Sequence, residues 1–156
     1  TLPETAPRPI GPEELAAFLR ERIPLSAAMA VQVRAAGPAG VELYAPLEPN
    51  RNHRDTGFGG SASTLAILAA WSALKVRMSA AGLRGRIVIR RNTMSYDRPI
   101  TAGFTAAASP PEAAAWDKFA ATLERGRTAR VHVRATLCCE GRAVGEFDGE
   151  FAVLPK

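Results

Sequence analysis

Two stretches near the end of the chain alternate apolar and polar residues with a period of two, which is the signature of half-buried strands. In Arg130 to Leu137, Arg130, His132, Arg134 and Thr136 alternate with Val131, Val133, Ala135 and Leu137. In Val144 to Val153, Glu146, Asp148 and Glu150 alternate with Phe147, Gly149 and Phe151. A three-residue hairpin loop Cys139-Glu140-Gly141, with Gly141 at positive φ, would set Arg134 opposite Glu146, His132 opposite Asp148 and Arg130 opposite Glu150. Earlier in the chain, Met29 to Ala36 and Val41 to Leu47 are strand-like runs around the turn Gly37-Pro38-Ala39-Gly40. Arg86 to Tyr96 and Thr101 to Ala108 read as a further strand pair across Asp97-Arg98-Pro99.

Three segments follow the helical period instead. Pro12, Glu13 and Glu14 open a helix whose last turn holds Arg20 and Arg22, and Pro24 stops it. Pro111 to Arg125 is amphipathic, with Trp116, Phe119 and Leu123 on its apolar stripe. The third runs from about Ser61 to Ala81, with Gly82 at its end. Its Leu65, Ile67, Leu68 and Trp71 point in several directions and alanines fill the gaps, so this helix is buried on all sides. Only a sheet curling around it covers so many faces. The expected architecture is therefore α+β: helix, two strands, loop, long buried helix, two strands, helix, two strands, with the antiparallel sheet wrapped around the long helix. Residues 12–156 form one domain, and the Pro-rich residues 1–11 are expected to be disordered.

Composition narrows the classes of function. The 156 residues are 47% apolar, enough for one core, and carry a net charge of +5. That charge favours phosphate groups or an acidic protein as partners, with Arg51, Arg54, Arg84, Arg86, Arg90, Arg91 and Arg98 available. Nucleic acid is not expected, because the arginines are not interleaved with aromatic stacking residues. The longest apolar run, Ala62 to Leu74, falls short of the about 20 residues a membrane helix requires. No signal-like segment opens the chain, and a cytoplasmic location is expected. Cys138 and Cys139 are neighbours on a strand and point to opposite faces, so they form no ordinary disulfide and, lacking further ligands, no metal site.

The chemistry concentrates in the loop Pro49-Asn50-Arg51-Asn52-His53-Arg54-Asp55-Thr56-Gly57-Phe58-Gly59-Gly60, which leads directly into the buried helix. The element order with this glycine-rich loop resembles the hotdog fold. The segments Ile23-Pro24-Leu25-Ser26-x-x-Met29, Ala45-Pro46-Leu47-x-Pro49-Asn50-x-Asn52-His53 and Thr56-x-Phe58-Gly59-Gly60-Ser61, with Trp71, resemble the putative thioesterase family known from the C-terminal domain of YiiD. More distantly, Asn52, Gly59 and Gly60 match the asparagine and paired glycines of PaaI-type acyl-CoA thioesterases. Two departures stand out: Ile67 occupies the place of a helix carboxylate in PaaI-like enzymes, and Asp55 stands where the close family usually has glycine.

The resemblance implies an acyl thioester, on coenzyme A or an acyl carrier protein, as substrate, no cofactor, and a homodimer or dimer of dimers. Thioester chemistry builds charge on the carbonyl oxygen, and a helix N-terminus offers backbone N–H groups to meet it. Gly60 and Asn52 are thus candidate oxyanion donors, His53 and Asp55 candidate bases, and Asn50, Thr56, Phe58, Gly59, Ser61 and Thr64 candidate binding residues. Structural roles compete: the glycines for a tight approach to the helix, Asn52 for an Asx turn, His53 and Asp55 for bracing the loop. His132, on the wet face of its strand, is expected to be structural. Three activities fit such a loop. They are thioester hydrolysis, decarboxylation of a malonyl thioester, which some members of the resembled family are assigned and which requires no base, and acyl binding without catalysis.

Overall fold

The computed structural model describes residues 6–156. Helix α1 (Pro12–Arg22) carries Glu13 and Glu14 in its first turn and Arg20 and Arg22 in its last, and buries Leu15 and Leu19. Pro24 both ends α1 and starts a second short helix, α2 (Pro24–Ala28), since proline suits a first helical turn. The strand expected from Met29 therefore begins later, as β1 (Gln32–Gly37), which turns tightly into β2 (Gly40–Ala45). At this turn glycine is required: Gly40 has φ +143°, and a Cβ there would lie 2.6 Å from the Ala108 carbonyl oxygen.

Helix α3 (Gly59–Ala80) is followed by β3 (Arg86–Tyr96), β4 (Phe104–Ala108), α4 (Ala113–Glu124), β5 (Ala129–Cys139) and β6 (Arg142–Leu154). The strands form one antiparallel sheet in the order β1-β2-β4-β5-β6-β3. All six strands contact α3. Leu65, Ala66, Ala69, Ala70, Leu74 and Val76 are fully enclosed, as a helix apolar all round demands. Gly82, at φ +72°, lets the chain turn off the helix end.

Two expectations about pairing are corrected. β3 and β4 are not partners: β3 pairs with β6 from Arg86↔Leu154 to Tyr96↔Gly145, while β4 lies between β2 and β5. The connection between them crosses under the loop before α3 instead of turning back. Ile100 is buried there and its carbonyl accepts the Gly57 N–H at 2.7 Å, so Asp97-Arg98-Pro99 serves a crossover. The β5–β6 turn has two residues, Glu140 and Gly141, both at positive φ (51° and 74°), between the pair Cys139↔Arg142. This left-handed pair twists with the strands, whereas a three-residue loop would not close here. The register accordingly puts His132 opposite Glu150, Arg134 opposite Asp148 and Thr136 opposite Glu146, after a bulge at Leu137/Cys138. The charged rows still meet. His132 Nδ1 lies 2.8 Å from Asp148 Oδ1, Arg134 Nε donates to Asp148 Oδ2 at 3.3 Å, and Thr136 Oγ1 donates to Glu146 Oε2 at 2.9 Å.

Of residues 1–11, expected to be disordered, 1–5 lie outside the described residues. From there the chain is fastened to the fold: Arg8 N donates to Ser79 O at 2.8 Å, Ser79 Oγ donates to Arg8 O at 2.7 Å, and Ile10 is buried. Among the described residues no helix is long and apolar enough to cross a membrane, and no cluster of side chains has a metal-ligand arrangement.

Three buried side-chain atoms, Ser26 Oγ, Asn50 Oδ1 and Ser72 Oγ, have no hydrogen-bond partner among the described residues. Ser72, on α3, is fully buried and its hydroxyl has no hydrogen-bond partner. Ser72→Ala removes that unpaired oxygen and raises helix propensity, and should stabilise the protein by about 1 kcal/mol. The melting temperature is expected to rise by about 2–4 °C. A lowered value in thermal unfolding would show that the hydroxyl has a partner in solution.

Candidate active site

The loop before α3 is held by two asparagines. Asn50, only 1% exposed, ends a single 3-10 turn (Glu48–Asn50); its Nδ2 donates to Met29 O at 3.0 Å and Pro46 O at 2.8 Å, and its carbonyl accepts the Phe58 N–H at 2.7 Å. It fastens the exit of α2, the end of β2 and the start of α3 together. Expected to touch substrate, Asn50 has both amide hydrogens spent on backbone carbonyls, which the sequence alone does not reveal.

Asn52 closes the loop on itself. Its Oδ1 accepts the N–H groups of Arg54 at 2.8 Å and Thr56 at 3.2 Å, while its Nδ2 donates to Thr56 Oγ1 at 2.9 Å and, longer, to Gly57 O at 3.4 Å. This is the Asx-type arrangement that competed with the oxyanion role in the sequence. Asp55, where the resembled family usually has glycine, sits at φ +60°, a conformation that aspartate tolerates better than most residues. Its carboxylate accepts Arg51 Nη1 at 3.2 Å. His53 and Asp55 are both exposed at the loop tip.

The loop delivers the start of α3 without a cap. Phe58, in extended conformation at φ −66° and ψ 131°, precedes the helix and makes no side-chain capping hydrogen bond. The N–H groups of Gly59, Gly60 and Ser61 have no acceptor within the helix, and the positive end of the helix dipole adds to them. Two exposed aromatic rings flank these amides: a Cβ on Gly59 would stand 3.5 Å from the Tyr96 ring, and one on Gly60 would meet the Phe58 ring at 2.3 Å. Thr64 turns its hydroxyl back to Gly60 O at 2.7 Å, within the helix.

Beside this helix end opens a cavity of about 300 Å³. Gly57, Gly59 and Ala62 form one wall; Met94, Tyr96, Arg98, Pro99 and Ile100 form the second; Leu137, Val144 and Gly145 complete it. Of the candidate site residues only Gly59 lines the cavity, and of the arginines available for a partner only Arg98 does. The second wall is not legible in the sequence, where Asp97-Arg98-Pro99 reads as a hairpin turn; the β3–β6 pairing places it at the helix end. Gly145 offered one signal. A glycine inside an alternating strand often marks close approach, and a Cβ here would lie 2.6 Å from Ser95 O. The lining is mainly apolar, with Tyr96 and Arg98 as its titratable members.

Residues 12–155 match the protein family described as "Putative thioesterase (yiiD_Cterm)". The chain belongs to this family. Among solved structures, one described as the putative thioesterase from Shewanella oneidensis is 26% identical, with a TM-score of 0.83 over 92% of this chain and 97% of the other. A thioesterase from Haemophilus influenzae, 14% identical, gives a TM-score of 0.76 over 96% and 94% of the two chains. A mutant of the phenylacetic acid degradation protein PaaI from Thermus thermophilus, 21% identical, gives 0.63 over 84% and 98%. These last two show the fold, which is the hotdog fold. Family membership supports a general acyl-thioester hydrolase role for the chain.

Proposed function

We propose that this chain hydrolyses an acyl thioester carried on coenzyme A or an acyl carrier protein, in the cavity at the N-terminal end of α3. The observation that carries this reading is the uncapped first turn, Gly59 to Ser61, beside an apolar cleft of about 300 Å³. Water adds to the thioester carbonyl and gives up a proton to solvent, the N–H groups of Gly59 and Gly60 hold the resulting oxyanion, and the thiolate leaves as the carbonyl re-forms. Glycine at both positions lets the acyl group come close, while Phe58 and Tyr96 cover it from the solvent side. The substrate's phosphates or the carrier's acidic surface would meet Arg98 at the cleft and the exposed Arg51 and Arg54 beside it.

Among the described residues no imidazole or carboxylate lines the cleft in one protomer, so neither His53 nor Asp55 is assigned as the base. The edge strand β3 bears exposed Val88, Ile89 and Tyr96, an unpaired apolar edge of the kind that proteins cover. A homodimer through this edge would bring a second protomer to the cleft, which Tyr96 joins to the edge.

Free-thiol release from acetyl, medium-chain and long-chain acyl thioesters, on both carriers, tests the reading. Thiol release with at least one acyl thioester is expected. A malonyl thioester converted to its acetyl thioester with no thiol released from any substrate would replace hydrolysis by decarboxylation. Binding without turnover would leave only an acyl-binding domain.

Asn52 acts here as a positioning residue. Asn52→Asp keeps the acceptor for Arg54 and Thr56 N–H and loses only the Nδ2 donor, so kcat should fall by less than about tenfold, in line with about 1 kcal/mol for one hydrogen bond. Asn52→Ala loses both halves of the brace and should act mainly on KM. A 100- to 1000-fold loss of kcat in Asn52→Asp, of about the size seen when an oxyanion donor is removed, would put the carboxamide on the reacting oxygen instead.

A further inference from the structure

Toward the other end of α3, whose 22 residues span about 33 Å, a second cavity of about 450 Å³ opens between the helix's last turns, residues 6–8 and the start of β3. Its polar wall is cationic. Arg8, Lys75, Arg84 and Lys156 reach it from four parts of the chain, and no carboxylate side chain lines it among the described residues. Met78, Leu83 and Ile87 supply an apolar floor.

Cations near a helix C-terminus are ordinary, because they complement the dipole. That accounts for Arg77, whose guanidinium lies 4.1 Å over the Trp116 ring, away from this cavity. It does not account for Arg8 and Lys156, which come from other segments. Arg8 is held by Glu14 at 2.9 and 2.6 Å, but among the described residues neither Lys75 nor Lys156 makes an ion pair. The Lys75 ammonium is half-buried, 4.6 Å from the Phe18 ring centroid and 5.4 Å from that of Trp71. Burial first, and then the Lys156 charge, with smaller contributions from Arg8 and Arg22, push its pKa below the ordinary lysine range against the pull of Glu14. With Arg8 balanced by Glu14, it is the like charges of Lys75 and Lys156 that meet at this concave, partly dry space, an arrangement that a bound anion relieves.

We propose that this cavity binds a phosphate-bearing small molecule, with the phosphate between Lys75 and Lys156 and the remainder of the ligand against Leu83 and Ile87. The site is separate from the thioester cleft and stands whether or not the hydrolase reading holds. The same chemistry fits a free phosphate or diphosphate and the phosphorylated nucleotide end of coenzyme A, and titration calorimetry with inorganic phosphate, pyrophosphate, coenzyme A and coenzyme A lacking its 3′-phosphate separates them.

The wild-type protein should bind at least one of these, more weakly as salt rises. In the double variant Lys75→Gln, Lys156→Gln the affinity should fall about ten- to hundredfold, the loss expected from removing charge-assisted contacts. The control Arg130→Gln, Arg134→Gln, which removes an equal charge from the outer face of the sheet, should leave it unchanged. Binding of pyrophosphate that the double variant loses identifies a small phosphate. A dependence of coenzyme A affinity on its 3′-phosphate that is present in wild type and absent in the double variant identifies the nucleotide end. Lys156→Gln alone, at an exposed position, serves if the double variant unfolds. Equal affinity in wild type and these variants, or no binding by wild type, overturns the proposal.

Discussion

Gly59→Pro is expected to lower kcat for thioester hydrolysis by about 100- to 1000-fold while the protein stays folded. Gly59 is the first residue of α3, where proline is welcome because its missing N–H has no intrahelical acceptor in any case. The residue before it, Phe58, already has the extended backbone that a following proline imposes. A Cβ at Gly59 meets only the Tyr96 ring, at an ordinary contact distance of 3.5 Å. The substitution thus deletes one donor at a residue that lines the cleft and leaves the helix intact. Gly59→Ala is its control: it adds the Cβ, keeps the N–H, and should change kcat by no more than about threefold. Steady-state kinetics with melting curves on both variants check the pair. Full activity in Gly59→Pro would remove this amide from the reaction, and equal losses in both variants would mean that crowding, and not the donor, is responsible.

Asn50→Ala should have the largest effect on stability. The side chain is buried and its two N–H groups serve the carbonyls of Met29 and Pro46, which alanine leaves unpaired. Each orphaned buried acceptor costs about 1–3 kcal/mol, set against the relief of Asn50 Oδ1, which itself has no partner. A net loss of about 3 kcal/mol follows, a drop of roughly 6–12 °C in melting temperature for a chain of this size. Because Asn50 also presents its carbonyl to Phe58 N–H, the start of α3 should loosen, and activity should fall at temperatures where the variant is still folded. Unchanged stability, measured by denaturant unfolding, would mean that the loop does not depend on this carboxamide.

The fold was legible wherever one residue pattern allowed one solution. Leu65, Ile67, Leu68 and Trp71 spread around α3 require a wrapping sheet, and the alternation through β5 and β6 fixes which side of each strand is dry. Pairing order was not legible, because the choice of partner for β3 depends on strand length and on a crossover buried at Ile100, neither of which appears in local periodicity. The β5–β6 register turned on whether Glu140 could adopt a left-handed conformation, and glutamate gives little sign of doing so. At the site, Gly59 and Gly60 announced an open helix end. The neighbouring Asn50 and Asn52 did not announce that their amides face inward to the loop, since the same side chain serves a ligand or a backbone carbonyl equally well. Tyr96 and Arg98 reach the cleft only through the β3–β6 pairing, so no reading of the loop would have found them.

The most direct measurement is the amide proton and nitrogen shifts of Gly59, Gly60 and Ser61 as a non-hydrolysable acyl-pantetheine ketone is added. The account predicts downfield movement of the Gly59 and Gly60 protons, saturating with the ligand and accompanied by shifts at Ala62 and Tyr96. Saturable binding that leaves all three amides unmoved, with shifts confined to other parts of the molecule, would contradict it.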